Sequence, residues 1–441
     1  MSQKSTINRR QFIKRAAGTA IGAFSFPYIV PSSVLGKPGA ILPSDKITIG
    51  CIGVGWMGTS NLEGFLREAD ARVVAVCDLD KVHLKRAKNI VNAKYENKDC
   101  LTYHDFRELL ERDDIDAISI GTPDHWHSVP AIAAAKAGKD IYSEKPLSHT
   151  LKEGRAICDA VKRYNRIWQT GSWQRSVSNF RFACELVRNG RIGKVHTVEV
   201  GLPAGHADFA GTKGQETIQK PPKELDYDFW LGPAPYEPYA VARVHKNWRW
   251  VLNHGGGQLM DWIGHHGDIA HWGLDLDRTG PIYIEGYGTY PSDGLWNTAT
   301  RYRLKAKYAN GLTMILAGGY ADICDNRGGT KWIGSDGWVW VNRGGIDAYP
   351  KKLLDETFGP NEIHLFRSPG HYRDFLDCVK SRYETLTPCE TAHRSASPGH
   401  LGQIAMQLGR RIHFNPETEE IIGDTTASEM LGKVMRSPWH T

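Results

Sequence analysis

Ile47-Thr48-Ile49-Gly50-Cys51-Ile52-Gly53-Val54-Gly55-Trp56-Met57-Gly58 is an apolar run that breaks at once into three glycines at G-x-G-x-x-G spacing. A strand that meets such a turn and then a helix is how a chain cradles a dinucleotide. The first glycine allows the tight turn, the second lets the backbone approach a pyrophosphate, and the third lets helix and strand pack closely. N–H groups at the helix start then face the phosphates. The spacing alone is a weak signal, and its continuation strengthens it. Arg72-Val73-Val74-Ala75-Val76-Cys77-Asp78 reads as a second strand, with Asp78 20 residues past Gly58, where an acid meets the ribose hydroxyls. A carboxylate there repels a 2′-phosphate, so NAD is the expected cofactor, while Lys81 and Lys85 nearby keep NADP open.

Working outward, further strands are expected at residues 115–120, 140–143 and 166–170, each separated by a helix-length segment. This alternation implies right-handed βαβ units and a parallel Rossmann sheet over residues 45–171. The strand ends carry Gly121-Thr122-Pro123-Asp124-His125-Trp126-His127 and Ser143-Glu144-Lys145-Pro146, and ligands bind at the carboxyl ends of open parallel sheets. A lysine in a loop is ordinarily a solvated charge. Lys145, between Glu144 and Pro146 at a strand end, is instead placed in a cofactor crevice.

After residue 172 the rhythm changes. A helix-like segment at 179–189 gives way to strand-like stretches near 194–203, 280–290, 298–308, 311–320 and 331–341, with helices again at 371–380 and 399–411. Strands in succession point to an α+β domain, residues 172–441, with an antiparallel or mixed sheet. Within it, Gly255-Gly256-Gly257-Gln258-Leu259-Met260-Asp261-Trp262-Ile263-Gly264-His265-His266-Gly267-Asp268-Ile269-Ala270-His271-Trp272 winds as a helix with two faces. Asp261, His265, Asp268 and Trp272 share one stripe, and Trp262, Ile263, Ile269 and Ala270 lie opposite with His266. Asp261 is then one turn from His265, close enough to orient or charge the imidazole. Gly264 beside them leaves room for a ligand. His265, Asp261, His254 and His271 have no H-E-x-x-H or Cys₂His₂ spacing, so no metal is expected.

The chain has 441 residues, which suits two domains. Its net charge of +6 is an address rather than a footprint: six of 55 basic residues and no acid lie in residues 1–38, leaving 49 of each sign elsewhere. A nucleic-acid partner would need a basic surplus in the folded part. Asn8-Arg9-Arg10-Gln11-Phe12-Ile13-Lys14, followed by small and apolar residues to Val30, resembles a twin-arginine export signal, with residues 1–40 as signal and linker. Export in a folded state implies a cofactor loaded beforehand. No later stretch is long and apolar enough to cross a bilayer, so no membrane span is expected in the mature chain. The eight cysteines show no CxxC or ligand rhythm. Cys51 and Cys77 read as buried thiols, and Cys378 and Cys389 are candidates for pairing that spacing alone does not decide.

Gly53-x-Gly55-x-x-Gly58, Glu144-Lys145-Pro146 and Gly256-Gly257-x-x-x-Asp261-x-x-x-His265 together resemble the Gfo/Idh/MocA oxidoreductases, named for glucose–fructose oxidoreductase and inositol dehydrogenase. Trp230-Leu231-Gly232-Pro233 and Arg436-Ser437-Pro438-Trp439 are similar to exported members. The resemblance covers the chain after the leader and implies a Rossmann domain followed by a domain with an open, mostly antiparallel sheet, and that Lys145, Asp261 and His265 match the catalytic positions. It also places Thr122, Pro123 and His127 near a nicotinamide, beside the cofactor contacts Gly53, Gly55, Trp56, Met57, Gly58, Asp78, Glu144 and Lys145. Arg175, Arg249 and Trp250 are the expected substrate contacts. The implied reaction moves a hydride between a carbohydrate hydroxyl carbon and a tightly held NAD, with Lys145 or His265 carrying the proton. Two alternatives stay open: a redox-neutral glycosidase of the NAD-dependent α-N-acetylgalactosaminidase type, from whose pattern Trp173-Gln174-Arg175 departs, and a non-catalytic sugar-binding protein. The exposed second-domain sheet points to a homo-oligomer.

Overall fold

The computed structural model describes residues 45–319 and 322–441, of which residues 47–441 form one compact unit. The expected leader, with Arg9 and Arg10, lies outside the described residues.

Six parallel strands build the first sheet: β1 (Ile47–Ile52), β2 (Ala71–Cys77), β3 (Leu101–Tyr103), β4 (Ala117–Ile120), β5 (Asp140–Ser143) and β6 (Trp168–Thr170), in the order β3-β2-β1-β4-β5-β6. Every residue of β4 and β5 is buried, as in a parallel sheet covered on both faces. Helices α1 (Trp56–Leu66), α2 (Lys81–Tyr95), α3 (Phe106–Leu110), α4 (Ser128–Lys136) and α5 (Leu151–Arg163) connect them. Local chemistry sets the helix starts: the Asp80 carboxylate accepts from Val82 N at 2.7 Å, and Thr150 with Glu153 forms a capping box. Strand order reverses between β1 and β4, and that switch point opens the crevice in which such sheets bind ligands. The strand β3 was not expected; its three residues are too few and too exposed to give a pattern.

The second domain holds α6 (Ser178–Arg188), β7 (Val195–Leu202), α7 (Tyr227–Leu231), α8 (Gly257–Trp262), α9 (Asp268–Leu274), β8 (Tyr283–Thr289), β9 (Arg301–Lys307), β10 (Thr313–Gly318), β11 (Gly329–Gly334), β12 (Trp338–Asn342), β13 (Gly345–Tyr349), α10 (His371–Ser381), α11 (Cys389–Leu408), β14 (Ile412–Asn415), β15 (Glu420–Ile421) and α12 (Thr425–Glu429). Its nine strands run β13-β12-β11-β7-β10-β9-β8-β14-β15, antiparallel at every junction except the parallel β7–β10 pair. One face packs Val198, Leu304, Leu316 and Trp332 against Ile263, Ile269 and Leu401. Among the described residues no helix is long and apolar enough to cross a membrane.

Four expectations change. The single strand near 331–341 is the hairpin β11–β12, turning at Ser335–Gly337, where Gly334 N donates to Gly337 O at 2.9 Å. The last helix starts at Cys389 rather than near 399 and carries Pro398 inside it. The Gly255–Trp272 segment is not one helix: α8 and α9 are joined by a π-helical turn, Ile263–Gly267. Cys378 does not meet Cys389, because its thiol is turned to Glu384 O at 3.6 Å; the sulfur beside Cys389 belongs to Cys158.

Candidate active site

The glycine turn sits where β1, β4 and α1 converge. Gly53 has φ +75°, and an added Cβ would meet Thr122 N at 2.8 Å. At Gly58 a Cβ would lie 1.8 Å from Gly53 O, so only glycine lets α1 close on the turn. Gly55 differs, since a Cβ there would meet nothing closer than His83 at 3.7 Å and the backbone faces open space. Asp78 ends β2 and accepts from Val54 N at 2.8 Å and Asp80 N at 2.9 Å, which fixes the carboxylate against the turn. Burial pushes its pKa up while His83 pulls it down. Arg86, which sequence reasoning missed, ties Val54 O, Gly55 O and Thr59 Oγ1 together at 3.1–3.3 Å.

A cavity of about 660 Å³ opens in front of this turn, within the usual size for a small-molecule or cofactor site. Gly53, Gly55, Trp56, Met57, Asp78, Thr122, Pro123, Glu144, Lys145 and Arg249 line it, whereas Gly58 and His127 stand behind its wall. Open backbone at Gly55, the anchored acid and this volume fit a dinucleotide. The Trp56 ring leans on the second domain, with Phe209 at 5.5 Å and Lys246 Nζ at 4.7 Å.

Lys145 leaves the carboxyl end of β5 into this cavity. Its Nζ donates to Asp261 O at 2.6 Å and Asp261 Oδ1 at 2.9 Å, and Arg249 Nε donates to the same Oδ1 at 2.9 Å. Burial alone would raise the Asp261 pKa, but the Lys145 and Arg249 charges outweigh it and hold the carboxyl well below the usual range. His265 is buried, with Nδ1 unpartnered; burial, then the Lys145 and Arg343 charges, keep its ring neutral. Asp261 therefore pairs with the lysine and not, as the helical spacing suggested, with His265. Gly264 holds no vacant room either, since a Cβ there would sit 2.9 Å from Lys145 Cβ. Glu144 accepts from Asn61 Nδ2 at 2.9 Å, and burial raises its pKa. The His127 ring contacts Pro146 O at 2.7 Å and Thr122 O at 3.0 Å, so it braces the Lys145 loop from behind.

Two expected substrate contacts are corrected. Arg175 is 2% exposed, and its guanidinium is occupied by Asp268 and Asp277 at 2.7–2.8 Å. Trp250 is fully buried, donates from Nε1 to Ala207 O and stacks on His206. The π turn explains the first case. It winds more widely than an α-helix, so Asp268 leaves the Asp261 stripe and turns to Arg175, with Trp272 beneath the guanidinium at 5.3 Å. The structure adds Asp124, a cavity-lining carboxyl that burial pushes up to about 8 against the pull of Arg249 and Lys145. It also adds Arg343, whose guanidinium lies over Trp173 at 5.0 Å and Trp262 at 4.7 Å, while Trp262 meets His265 edge-on at 5.5 Å. Asp124 sat in view beside Thr122 and Pro123, whereas no sequence signal links Arg343 to His265. Among the described residues Asp80, His83 and His245 bring ligand-type atoms within 4.8 Å of one another, a grouping distinct from the histidines weighed in the sequence.

Residues 47–172 match the family described as "Oxidoreductase family, NAD-binding Rossmann fold", and residues 178–441 match "Oxidoreductase family, C-terminal alpha/beta domain". The chain belongs to the Gfo/Idh/MocA oxidoreductase family. Solved Gfo/Idh/MocA-like folds similar to it include an aldose–aldose oxidoreductase from Caulobacter crescentus (TM-score 0.60, 18% identity, 84% of this chain and 100% of that one). A scyllo-inositol dehydrogenase from Lactobacillus casei is similar at TM-score 0.58 and 16% identity, over 83% and 99% of the two chains. At such identities the likeness concerns the fold. Among curated relatives, an alpha-N-acetylgalactosaminidase of Shewanella oneidensis is 35% identical over 171 residues, 36% of this chain and 37% of that protein. A glycosyl hydrolase family 109 protein of Shewanella sp. (strain ANA-3) is 34% identical over 178 residues, 37% and 38% of the two. The chain thus matches under two-fifths of the length of these relatives.

Proposed function

We propose that the cavity holds a nicotinamide dinucleotide, NAD in preference to NADP, and that this oxidoreductase moves a hydride between it and a hydroxyl-bearing carbon of a sugar or glycoside. The observation that carries this reading is Lys145: it lines the cavity of the glycine turn, and its Nζ is fixed by Asp261 at 2.9 Å. When bound, the nicotinamide supplies the hydride acceptor or donor. An ammonium has three N–H donors. Two point at Asp261 O and Oδ1, which leaves the third for a substrate oxygen. In the reducing direction Lys145 hands its proton to the carbonyl oxygen; in the oxidising direction its neutral amine takes the hydroxyl proton. Asp261, held ionised by the Lys145 and Arg249 charges, orients Lys145, and His265 is the second candidate for carrying the proton. Arg249, on the cavity wall, supplies a polar contact for a sugar.

The test is to denature the purified protein, identify any released dinucleotide, and titrate the intact protein with a sugar panel while following reduced-nicotinamide absorbance. Net reduction with a sugar, lost in Lys145→Ala, is expected; a protein that neither releases nor binds a dinucleotide refutes the reading. The glycosidase names of the curated relatives favour one second reading, a redox-neutral hydrolase. It would cleave a glycoside with no net reduced nicotinamide. Export in a folded, cofactor-loaded state belongs to the same proposal, with Arg9→Lys plus Arg10→Lys expected to trap the protein in the cytoplasm. So does a homo-oligomer through the second-domain sheet, read by analytical ultracentrifugation.

A further inference from the structure

Cys158, on α5, and Cys389, the first residue of α11, have Sγ atoms 3.0 Å apart although 231 residues separate them. Both are free thiols, buried at 6% and 5% exposure. Disulfide sulfurs stand at roughly 2.05 Å, so about one ångström of approach closes the bond, a movement within reach of side-chain rotation. We propose that Cys158 and Cys389 are a redox pair that closes to a disulfide in an oxidising environment and staples together the two halves of the candidate active site.

The two helices give the staple its meaning. The α5 helix follows the loop that carries Lys145 and begins at Leu151. The α11 helix lies against the segment bearing Asp261 and His265: a Cβ at Gly399 would meet Met260 Sδ at 2.6 Å, and one at Gly267 would meet Ser395 O at 3.8 Å. A covalent link from Cys158 to Cys389 therefore ties the backbone behind Lys145 to the backbone behind its partners. Around the sulfurs, Arg155 holds Glu390 at 2.8 Å and Glu419 at 2.6 Å, so the two helices already share a charged clamp.

The chemistry balances with a disulfide donor such as oxidised glutathione or a thiol–disulfide oxidoreductase. One protein thiolate attacks a donor sulfur, forming a mixed disulfide and releasing one donor thiol. The second protein thiolate then attacks the first protein sulfur and releases the other. Two protein thiols are oxidised, one donor disulfide is reduced, and both protons end on the donor thiols. Burial raises the Cys389 pKa and makes it a slow attacker in the closed fold. Its place at the start of α11 lets it react as the fold closes or as the helix end frays.

Full-length protein equilibrated in oxidised glutathione or in dithiothreitol is denatured, alkylated, weighed and mapped without reduction. All eight cysteines should alkylate after dithiothreitol and six after oxidation, with one joined peptide pair containing Cys158 and Cys389. The thermal midpoint of the oxidised form should rise by roughly 5 °C, and Cys158→Ser or Cys389→Ser should abolish that difference. Eight alkylated cysteines after oxidation, a link through Cys378, or equal midpoints for the two forms would each overturn the proposal. If a serine variant fails to fold, the mass and map of the unsubstituted protein decide.

Discussion

Gly264→Ala adds one carbon at the point where the second domain touches the lysine. The new Cβ would stand 2.9 Å from Lys145 Cβ and 3.4 Å from its Cγ. Carbon atoms rest at about 3.5 Å or more, so one partner must give by about 0.6 Å. The lysine backbone is pinned at the end of β5, where Ile120 pairs with Ser143, and by the His127 contact to Pro146 O. Gly264 is pinned within the π turn. Lys145 Cβ is fixed by its own backbone, so side-chain rotation cannot relieve the contact; the loop after β5 must shift and carry the side chain with it, and at Nζ the displacement approaches 1 Å. A misplacement of that size costs on the order of 100-fold in rate, or about 2.7 kcal/mol of transition-state stabilisation. The glycine turn lies elsewhere, so dinucleotide affinity should change by no more than about twofold. Steady-state kinetics on the best sugar, with a dinucleotide titration and a thermal melt, reads both quantities. A variant that folds, binds the dinucleotide and keeps kcat within about threefold of the parent would refute the placement of Lys145 at the reacting atoms.

Arg175→Ala should act on stability rather than on substrate recognition, because it strands the buried Asp268 and the half-buried Asp277 carboxylates. A loss of about 3–5 kcal/mol in urea unfolding is expected, and a fully stable variant with only a raised KM would restore Arg175 to the substrate. Asp78→Ala should relax cofactor choice, raising the NADP-to-NAD affinity ratio at least about tenfold by removing the repulsion of a 2′-phosphate; an unchanged ratio in competitive titrations would separate Asp78 from the ribose. The pH dependence of stability should carry the Arg155 cluster. Burial raises Glu390 and Glu419, but hydrogen bonds from Arg155 and Arg394 to Glu390, and from His393 and Arg155 to Glu419, outweigh it and bring each from 4.5 to about 2. Depressed acids stabilise the fold above their unfolded value and lose that contribution as pH falls through the folded one. Unfolding midpoints should thus drop between pH 4.5 and 2, and Arg155→Met should flatten that decline; parallel curves for both proteins would remove the cluster from the acid limb.

What the sequence made legible was local. The β1 run, the three glycines and Asp78 announce themselves because a turn needing φ +75° at Gly53 and a 1.8 Å clearance at Gly58 admits no other residue. Lys145 was legible from its strand end. Less visible were features that depend on winding and on distant partners. A π turn leaves no mark in hydrophobic periodicity, so the stripe drawn from Asp261 carried Asp268 and Trp272 into the site when they belong to Arg175. Trp250 reads as a sugar platform until its burial against Ala207 and His206 is known. The Cys158–Cys389 contact spans 231 residues, beyond any spacing rule.

The π turn does more than break a pattern. By widening the winding between Asp261 and Asp268 it separates two acids into two ion-pair sets: Asp261 with Lys145 and Arg249, Asp268 with Arg175. It also places Gly264 against the Lys145 stem, so the contact that orients the lysine and the register that frees Asp268 come from the same five residues, Ile263–Gly267. His265 rides on that turn without a carboxylate partner, hemmed by the charges of Lys145 and Arg343. Under those fields protonating its ring is unfavourable, whereas Lys145 has a carboxylate to stabilise its charged form and one donor left for substrate. On the proposed function Lys145 is the group to carry the proton, and the turn is what leaves His265 without a carboxylate hydrogen-bonded to its ring.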